Sequence, residues 1–405
     1  MKFLFVSDVS IQDVIGGAER VLYEQTTRLA GRGHDVHILT RRLPAHQSDN
    51  AVIQDVHEWR YHVHQNNALS FFTSILKNGK SLFETLCAAH RFECINFHQP
   101  FSAFAAMKSA SCKNVRKVYT CHSLAFEEYA SRNAKPNSFS KNILHSFHLA
   151  SRKWIEKKTL NHSDFMVVLS QYTRDKLLNI YGIQEEKIAI IPGGIDLVRF
   201  HPVIDKQKLR KRLHLPLEKT VLLTVRNLVS RMGIENLIRA MEAIVKSVPD
   251  ILLVIGGKGP LKNDLLDMTH KLNLDQHIQF TGFIPETALP EYYQAADIFV
   301  LPTIELEGFG LVTLEALASG TPVLGTPVGG TQEILSRLNN RFLFQDTHHD
   351  SISRLVIETC QRYQNQPDKW HLDSQHCRHF VETYYSWEAN VTATERLFLD
   401  GIVKY

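Results

Sequence analysis

Short apolar runs, each followed by a glycine-containing break and then by a stretch with helical spacing, recur from the first residues of the chain almost to its end. Lys2–Val6 is the first run, and Gly16-Gly17 ends the loop behind it. Val21, Leu22, Gln25 and Leu29 then lie on one helical face between Ala18 and Ala30, Gly31 and Gly33 stop the helix, and His34–Thr40 alternates as a second strand. A strand–helix–strand unit implies a parallel sheet with a right-handed crossover. Cys94–Phe97, Arg116–Thr120, Phe165–Leu169 and Ile188–Ile191 continue the series, with Ser170 capping a helix through Tyr181 and Gly182 closing it.

Pro192-Gly193-Gly194-Ile195-Asp196 interrupts the pattern at mid-chain, and a second series follows. Its strands are Thr220–Val225, Ile251–Ile255, Ile278–Phe280, Ile298–Leu301 and Val323–Leu324. Its helices include Ile234–Val245 and one beginning near Gly310, and Ser386–Phe398 reads as a final helix. The expectation is two doubly wound α/β domains, residues 1–195 and 196–385, with the last helix, 386–405, outside the second series. In open sheets of this type ligands sit beyond the carboxyl ends of the strands, so the natural site is the cleft between two such domains.

Composition narrows the class. With 44% hydrophobic and 22% charged residues the 405-residue chain is an ordinary globular one, and no run approaches a membrane span. MKFLFVSDVS reads as a first strand and not as a signal peptide. Six Cys without a C-x-x-C pair point to reduced thiols and a cytoplasmic location. Residues 1–195 carry a net charge of +7 and the remainder −3, which hints at an anionic partner for the first half but is too mild for nucleic acid.

Three loops carry chemistry. Gly16-Gly17-Ala18-Glu19 opens a helix, where glycines let a ligand approach the positive helix end, or simply make a tight turn. It is not G-x-G-x-x-G, which disfavours a dinucleotide fold. Arg226 and Arg231, five residues apart behind a strand, are either a clamp for a diphosphate or two solvated loop arginines. Pro302 to Glu315 places Glu307 and Glu315 on either side of Gly308-Phe309-Gly310-Leu311, a glycine loop suited to phosphate between two carboxylates suited to sugar hydroxyls.

Glu307 and Glu315 with that Gly-Phe-Gly resemble the signature of the family 4 retaining glycosyltransferases. Gly16-Gly17, Thr120-Cys121-His122, Ser163-Asp164 through Ser170, Ile191 to Asp196, Gly256 to Pro260 and Gly320-Thr321-Pro322-Val323 resemble that family's motifs in the same order. The resemblance implies a GT-B architecture, with two Rossmann-like domains facing across a cleft and the last helix, around Trp387, crossing back onto the first. The first domain would bind the acceptor and the second a nucleotide-sugar, and closure about Pro192–Asp196 would exclude water.

Position by position, the resemblance places Glu315 at the ribose hydroxyls. Glu307 with the amides of Phe309, Gly310 and Leu311 would hold the donor sugar and phosphates. Arg226 would neutralise the diphosphate, Gly257 and Ile284 would lie on the donor side with Ile284 beside the base, and Gly16 and Gly17 would admit the phosphates. His122, behind Arg116–Thr120, would contact the transferred sugar or stabilise charge near its anomeric carbon, and His98 is an acceptor-side candidate. Many members have Lys where this chain has Met232, in an Arg-Met-Gly subset, so Arg231 either supplies the second cation or points to solvent.

No Asp-x-Asp pair occurs, so metal independence is expected, with no cofactor beyond the nucleotide-sugar co-substrate. The resulting expectation is a retaining hexosyltransferase acting on a glycan or lipid-linked acceptor in cell-surface polysaccharide or lipopolysaccharide assembly. A sugar-nucleotide 2-epimerase and a catalytically silent nucleotide-sugar binder are the alternatives. Segment 132–158 interleaves cations with Phe139, Phe147 and Trp154, so it either meets anionic lipid at the inner face of the membrane or packs with a solvated cationic face.

Overall fold

The computed structural model describes residues 1–12, 16–133 and 139–401. The chain forms two compact units, Met1–Gly193 with Trp387–Tyr405, and Gly194–Ser386.

The first unit is built on an eight-stranded sheet. Its strands are β1 (Lys2–Val6), β2 (Asp35–Arg41), β3 (Asn50–Ile53), β4 (Val56–Tyr61), β5 (Cys94–Phe97), β6 (Arg116–Cys121), β7 (Phe165–Val168) and β8 (Ile188–Ile190). They run in the order β3-β4-β2-β1-β5-β6-β7-β8, all parallel except β3, which pairs antiparallel with β4. Alternate residues feed a core on each face. Leu4 and Val6 pack with Leu39, Ile95, Phe97, Tyr119 and Val168, while Phe3 and Phe5 pack with Val36, Ile38, Cys94, Val118 and Val167.

The final helix, Trp387–Asp400, contributes Val391, Leu397 and Phe398 to the second of these cores. It lies on the helix Gly17–Gly31, where buried Gln25 donates to Asn390 at 3.0 Å. Arg28 and Arg32 add ion pairs to Glu388, and Arg32 one to Glu395. These last are exposed and contribute little, so burial holds the helix in place.

The second unit has five parallel strands, β9 (Thr220–Val225), β10 (Ile251–Gly256), β11 (Ile278–Gly282), β12 (Ile298–Leu301) and β13 (Val323–Gly325), in the order β11-β10-β9-β12-β13. Beneath them the helix Ile234–Ser247 buries Ile234, Leu237, Ile238, Met241 and Ile244, a single stripe at helical spacing.

Each sheet has one point where the winding reverses. In the first unit the chain steps outward from β1 through β2, then returns to place β5 on the other side of β1. In the second it steps from β9 to β11 and returns to place β12 beside β9. Beyond the carboxyl ends of such a strand pair the flanking loops part in opposite directions and leave a crevice. Gly16-Gly17 follows β1 and His98 follows β5; Arg226 follows β9 and Glu307 lies in the loop after β12.

Candidate functional site

Glycine makes the second unit's switch point possible. Gly233 caps the helix Ile234–Ser247 at φ +69°, and a Cβ there would stand 1.9 Å from the Pro302 carbonyl oxygen. The loops after β9 and β12 thus meet backbone to backbone, and the Ile304 amide donates to the Arg231 carbonyl at 2.9 Å.

Across that contact the Arg226 guanidinium pairs with the Glu307 carboxylate. It also donates to the Met232 sulfur at 2.8 and 3.2 Å and to the Thr303 hydroxyl at 3.2 Å. Thr303 in turn donates to Glu307 at 3.3 Å. The Arg226 and Glu307 side chains are only 7% and 11% exposed, so the charge pair sits in a low-dielectric setting where a new charge is felt strongly. Arg231 does not point simply to solvent: its Nη1 donates to the Leu306 carbonyl at 3.1 Å, bracing the left-handed turn at Leu306 (φ +59°) just before Glu307.

Gly310 caps the helix Leu311–Ala318, whose Thr313 amide turns back to the Gly310 carbonyl at 2.9 Å and whose N-terminus carries partial positive charge. Phe309 and Gly310 are buried beside it and Leu311 is half-buried. Glu315, one turn further on, is 9% exposed and accepts a hydrogen bond from the Tyr293 hydroxyl at 2.8 Å. Burial, followed by the adjacent Glu315 charge, pushes the Tyr293 phenol well up, so it stays a donor. Behind β10 and β11, Ile284 packs over Gly256, where a Cβ would clash with it at 2.5 Å, and Gly257 passes against the Arg226 carbonyl. Sequence reasoning missed Thr303, Tyr293 and the sulfur contact of Met232, none of which carries a local signal.

In the first unit Gly16 and Gly17 are exposed at the start of their helix. The Glu19 carboxylate folds back so that a Cβ on Gly16 would meet it at 2.8 Å. Burial, the largest influence, raises the Glu19 carboxyl from its ordinary range. Ser10, Ile11 and Gln12 in the preceding loop are held by a buried pair that sequence reasoning also missed. Glu58 binds Arg60, accepts from the Ser10 hydroxyl at 2.7 Å and from the Ile11 amide at 2.9 Å, and Arg60 reaches Gln12 at 2.6 Å.

His98 and His122 come together at the same carboxyl edge, His98 Nδ1 lying 3.0 Å from His122 Nε2. His98 is fully enclosed and its imidazole is held well below the usual range by burial. Burial likewise brings His122 down to about 4, so both rings are neutral near pH 7.

Two family models match, "Glycosyltransferase Family 4" over residues 15–199 and "Glycosyl transferases group 1" over residues 205–371, which between them take in most of the chain. Each half of the chain thus matches a glycosyltransferase family model. Among similar proteins is a GDP-mannose-dependent alpha-(1-6)-phosphatidylinositol monomannoside mannosyltransferase of Mycolicibacterium smegmatis. It is 32% identical over 203 residues, 48% of this chain and 53% of that one, so the match spans about half that relative's length. A D-inositol 3-phosphate glycosyltransferase of Kineococcus radiotolerans is 26% identical over 78% of this chain and 74% of its own.

Solved structures share the fold over its full extent. Sucrose-phosphate synthase from Thermosynechococcus elongatus superposes with a TM-score of 0.81 at 22% identity, covering 98% of each chain. Anabaena HepE, solved with UDP, gives 0.76 at 18% identity over 98% of this chain and 99% of its own. The chain therefore has the GT-B fold, with two Rossmann-like α/β units. No helix among the described residues is long and apolar enough to cross a membrane. Cys94, Cys121, Cys360 and Cys377 are free thiols.

Proposed function

We propose that the chain moves a hexosyl group from a nucleotide diphosphate sugar to a hydroxyl of a glycan or lipid-linked acceptor with retention at the anomeric carbon, in cell-surface polysaccharide or lipopolysaccharide assembly. The observation that carries this reading is the buried Arg226–Glu307 pair beside the helix N-terminus at Gly310. A permanent cation and a first-turn amide cluster are what a departing diphosphate needs, and the carboxylate beside them accepts from sugar hydroxyls.

In this reading residues 196–385 bind the donor. Glu315, oriented by Tyr293, takes the ribose hydroxyls, Ile284 and Gly257 flank the nucleoside, and Phe309, Gly310 and Leu311 amides meet the phosphates. Residues 1–195, with the helix from 386, bind the acceptor, with His122 toward the transferred sugar, His98 behind it and Gly16-Gly17 admitting phosphate. Met232 fills the place of a second cation by receiving the Arg226 guanidinium, and Arg231 braces the Glu307 loop, in keeping with a distinct Arg-Met-Gly subset. The bond from C1 to the phosphate oxygen breaks as the bond to the acceptor oxygen forms on the same face, and the β-phosphate takes the acceptor proton.

Thermal unfolding with UDP-, GDP- and ADP-sugars identifies the donor, since binding raises apparent stability. Nucleotide release that depends on acceptor supports the transferase, an altered sugar nucleotide means an epimerase, and neither means a binder. Full turnover is expected in excess EDTA, because arginine and amides neutralise the leaving group; abolition by EDTA contradicts this.

Peripheral contact with an anionic membrane, at a cytoplasmic face, belongs to the same proposal. Along the helix Phe139–His162, Ile143, Leu144, Phe147 and Trp154 are each more than half exposed, with Lys153, Lys157 and Lys158 on the same helix. Arg152 is engaged with the Tyr129 ring. Lys135 and the side chains of Phe139 and Lys141 lie outside the described residues. Flotation with anionic vesicles at low salt, weakening at physiological salt, is expected; equal sedimentation with and without anionic lipid removes the idea.

A further inference from the structure

We propose that Asn96 and His98 are positioning residues that fix His122 as the neutral Nδ1–H tautomer, so that it meets substrate as a hydrogen-bond donor and not as a base. The inference deepens the proposed transferase site and rests on His122 facing substrate there.

The direction of the relay follows from its inner end. Thr120 is 1% exposed, and among the described residues the acceptor its hydroxyl reaches is Asn96 Oδ1, at 3.0 Å. Turning the amide over would leave that buried hydroxyl proton without an acceptor, which costs more than the bond itself is worth. The Asn96 NH₂ group therefore faces His98 Nε2, at 3.2 Å. An amide NH₂ only donates, so Nε2 of His98 must be the bare nitrogen and its proton resides on Nδ1. That N–H points at His122 Nε2, 3.0 Å away, which must accept. A neutral His122 then carries its proton on Nδ1, the nitrogen away from the relay.

Register brings the four groups together. Asn96 and His98 alternate onto one face of β5 and its extension, Thr120 and His122 onto the same face of β6, and Asn96 pairs with Val118 in the parallel ladder. Burial disfavours the imidazolium at both rings, so no second proton blurs the assignment near neutrality. His122 is half-buried and is the one ring of the pair with an outward edge.

Nitrogen NMR of the histidine-labelled protein at pH 7, with His122 assigned by the missing signal in His122→Gln, reads the tautomer directly. A pyrrole-like shift at Nδ1 and a pyridine-like shift at Nε2 are expected, and the opposite pattern overturns the proposal. Asn96→Asp replaces the donor by a carboxylate, which only accepts. At pH 9 His98 should then carry its proton on Nε2, and the His122 pattern should invert; an unchanged pattern also overturns the relay. Inversion should lower kcat/KM about tenfold, one hydrogen bond's worth. If the tautomer inverts while kcat/KM stays at the wild-type value, the relay stands and the placement of His122 against substrate fails.

Discussion

Glu307→Ala should lower kcat by about 10²–10³-fold, the scale seen when a preorganised polar partner of the transition state is removed. Two losses combine. In the proposed site the donor sugar loses an acceptor for a hydroxyl, and the Arg226 guanidinium loses the group that aims it, keeping Thr303 and the Met232 sulfur among the described residues. A charge freed to swing no longer stands where the leaving phosphate develops its own. Because breaking a buried pair typically costs about 3–5 kcal/mol, rates must be normalised to folded protein from the unfolding curve. Arg226→Lys keeps the charge and loses the fork, so it should also slow turnover strongly. Glu315→Ala should act differently: with the proposed ribose partner gone and the Tyr293 hydroxyl deprived of its acceptor, donor binding weakens and kcat changes less. Wild-type turnover by folded Glu307→Ala would refute the assignment.

Burial and strand position decide which parts of this molecule are readable from its residues. Strands β1, β5, β9, β10 and β12 are buried on both faces over most of their length, so each is a mainly apolar run that announces itself even with Asn96 inside β5 and Thr224 inside β9. Strand β4 is an edge-side strand whose Glu58 and Arg60 satisfy each other in the interior, and polar residues at those positions hide it. The helix after Ser170 is legible by its cap and by Gly182, but its last turn, Leu177–Tyr181, widens to π geometry that no residue pattern signals. Glu307, Glu315 and Arg226 stand out because glycines and strand ends mark their loops. Their partners Tyr293, Thr303 and Met232 are chosen by the three-dimensional approach of separate loops. His98 and His122 are individually visible, and only parallel register makes them a pair.

Glu156→Gln should stabilise the first unit at pH 8 and flatten its pH dependence. Glu156 lies inside the unit, 0% exposed, accepting from the Ala125 amide at 2.9 Å and from the Tyr181 hydroxyl. Ala125 opens the helix that follows His122, so this carboxyl ties down the segment on which the proposed site depends. Burial, reinforced by Glu127 and Glu128 and opposed by the two hydrogen bonds, raises its pKa from 4.5 to about 7. In the unfolded chain it ionises near 4.5. Between these values the folded form holds more protons than the unfolded one, so stability is full below about pH 4.5 and declines as pH rises through 7. At about 1.4 kcal/mol per pKa unit the loss at pH 8 is up to about 3 kcal/mol. Glutamine keeps an acceptor for Ala125 and offers its NH₂ to the Tyr181 oxygen, without a charge to bury. Thermal unfolding from pH 4.5 to 8 should therefore show variant and wild type together at the acid end, with the variant several degrees higher at pH 8. Parallel curves across that range would place the burial cost of Glu156 elsewhere, since only a carboxyl that ionises inside the fold produces the divergence.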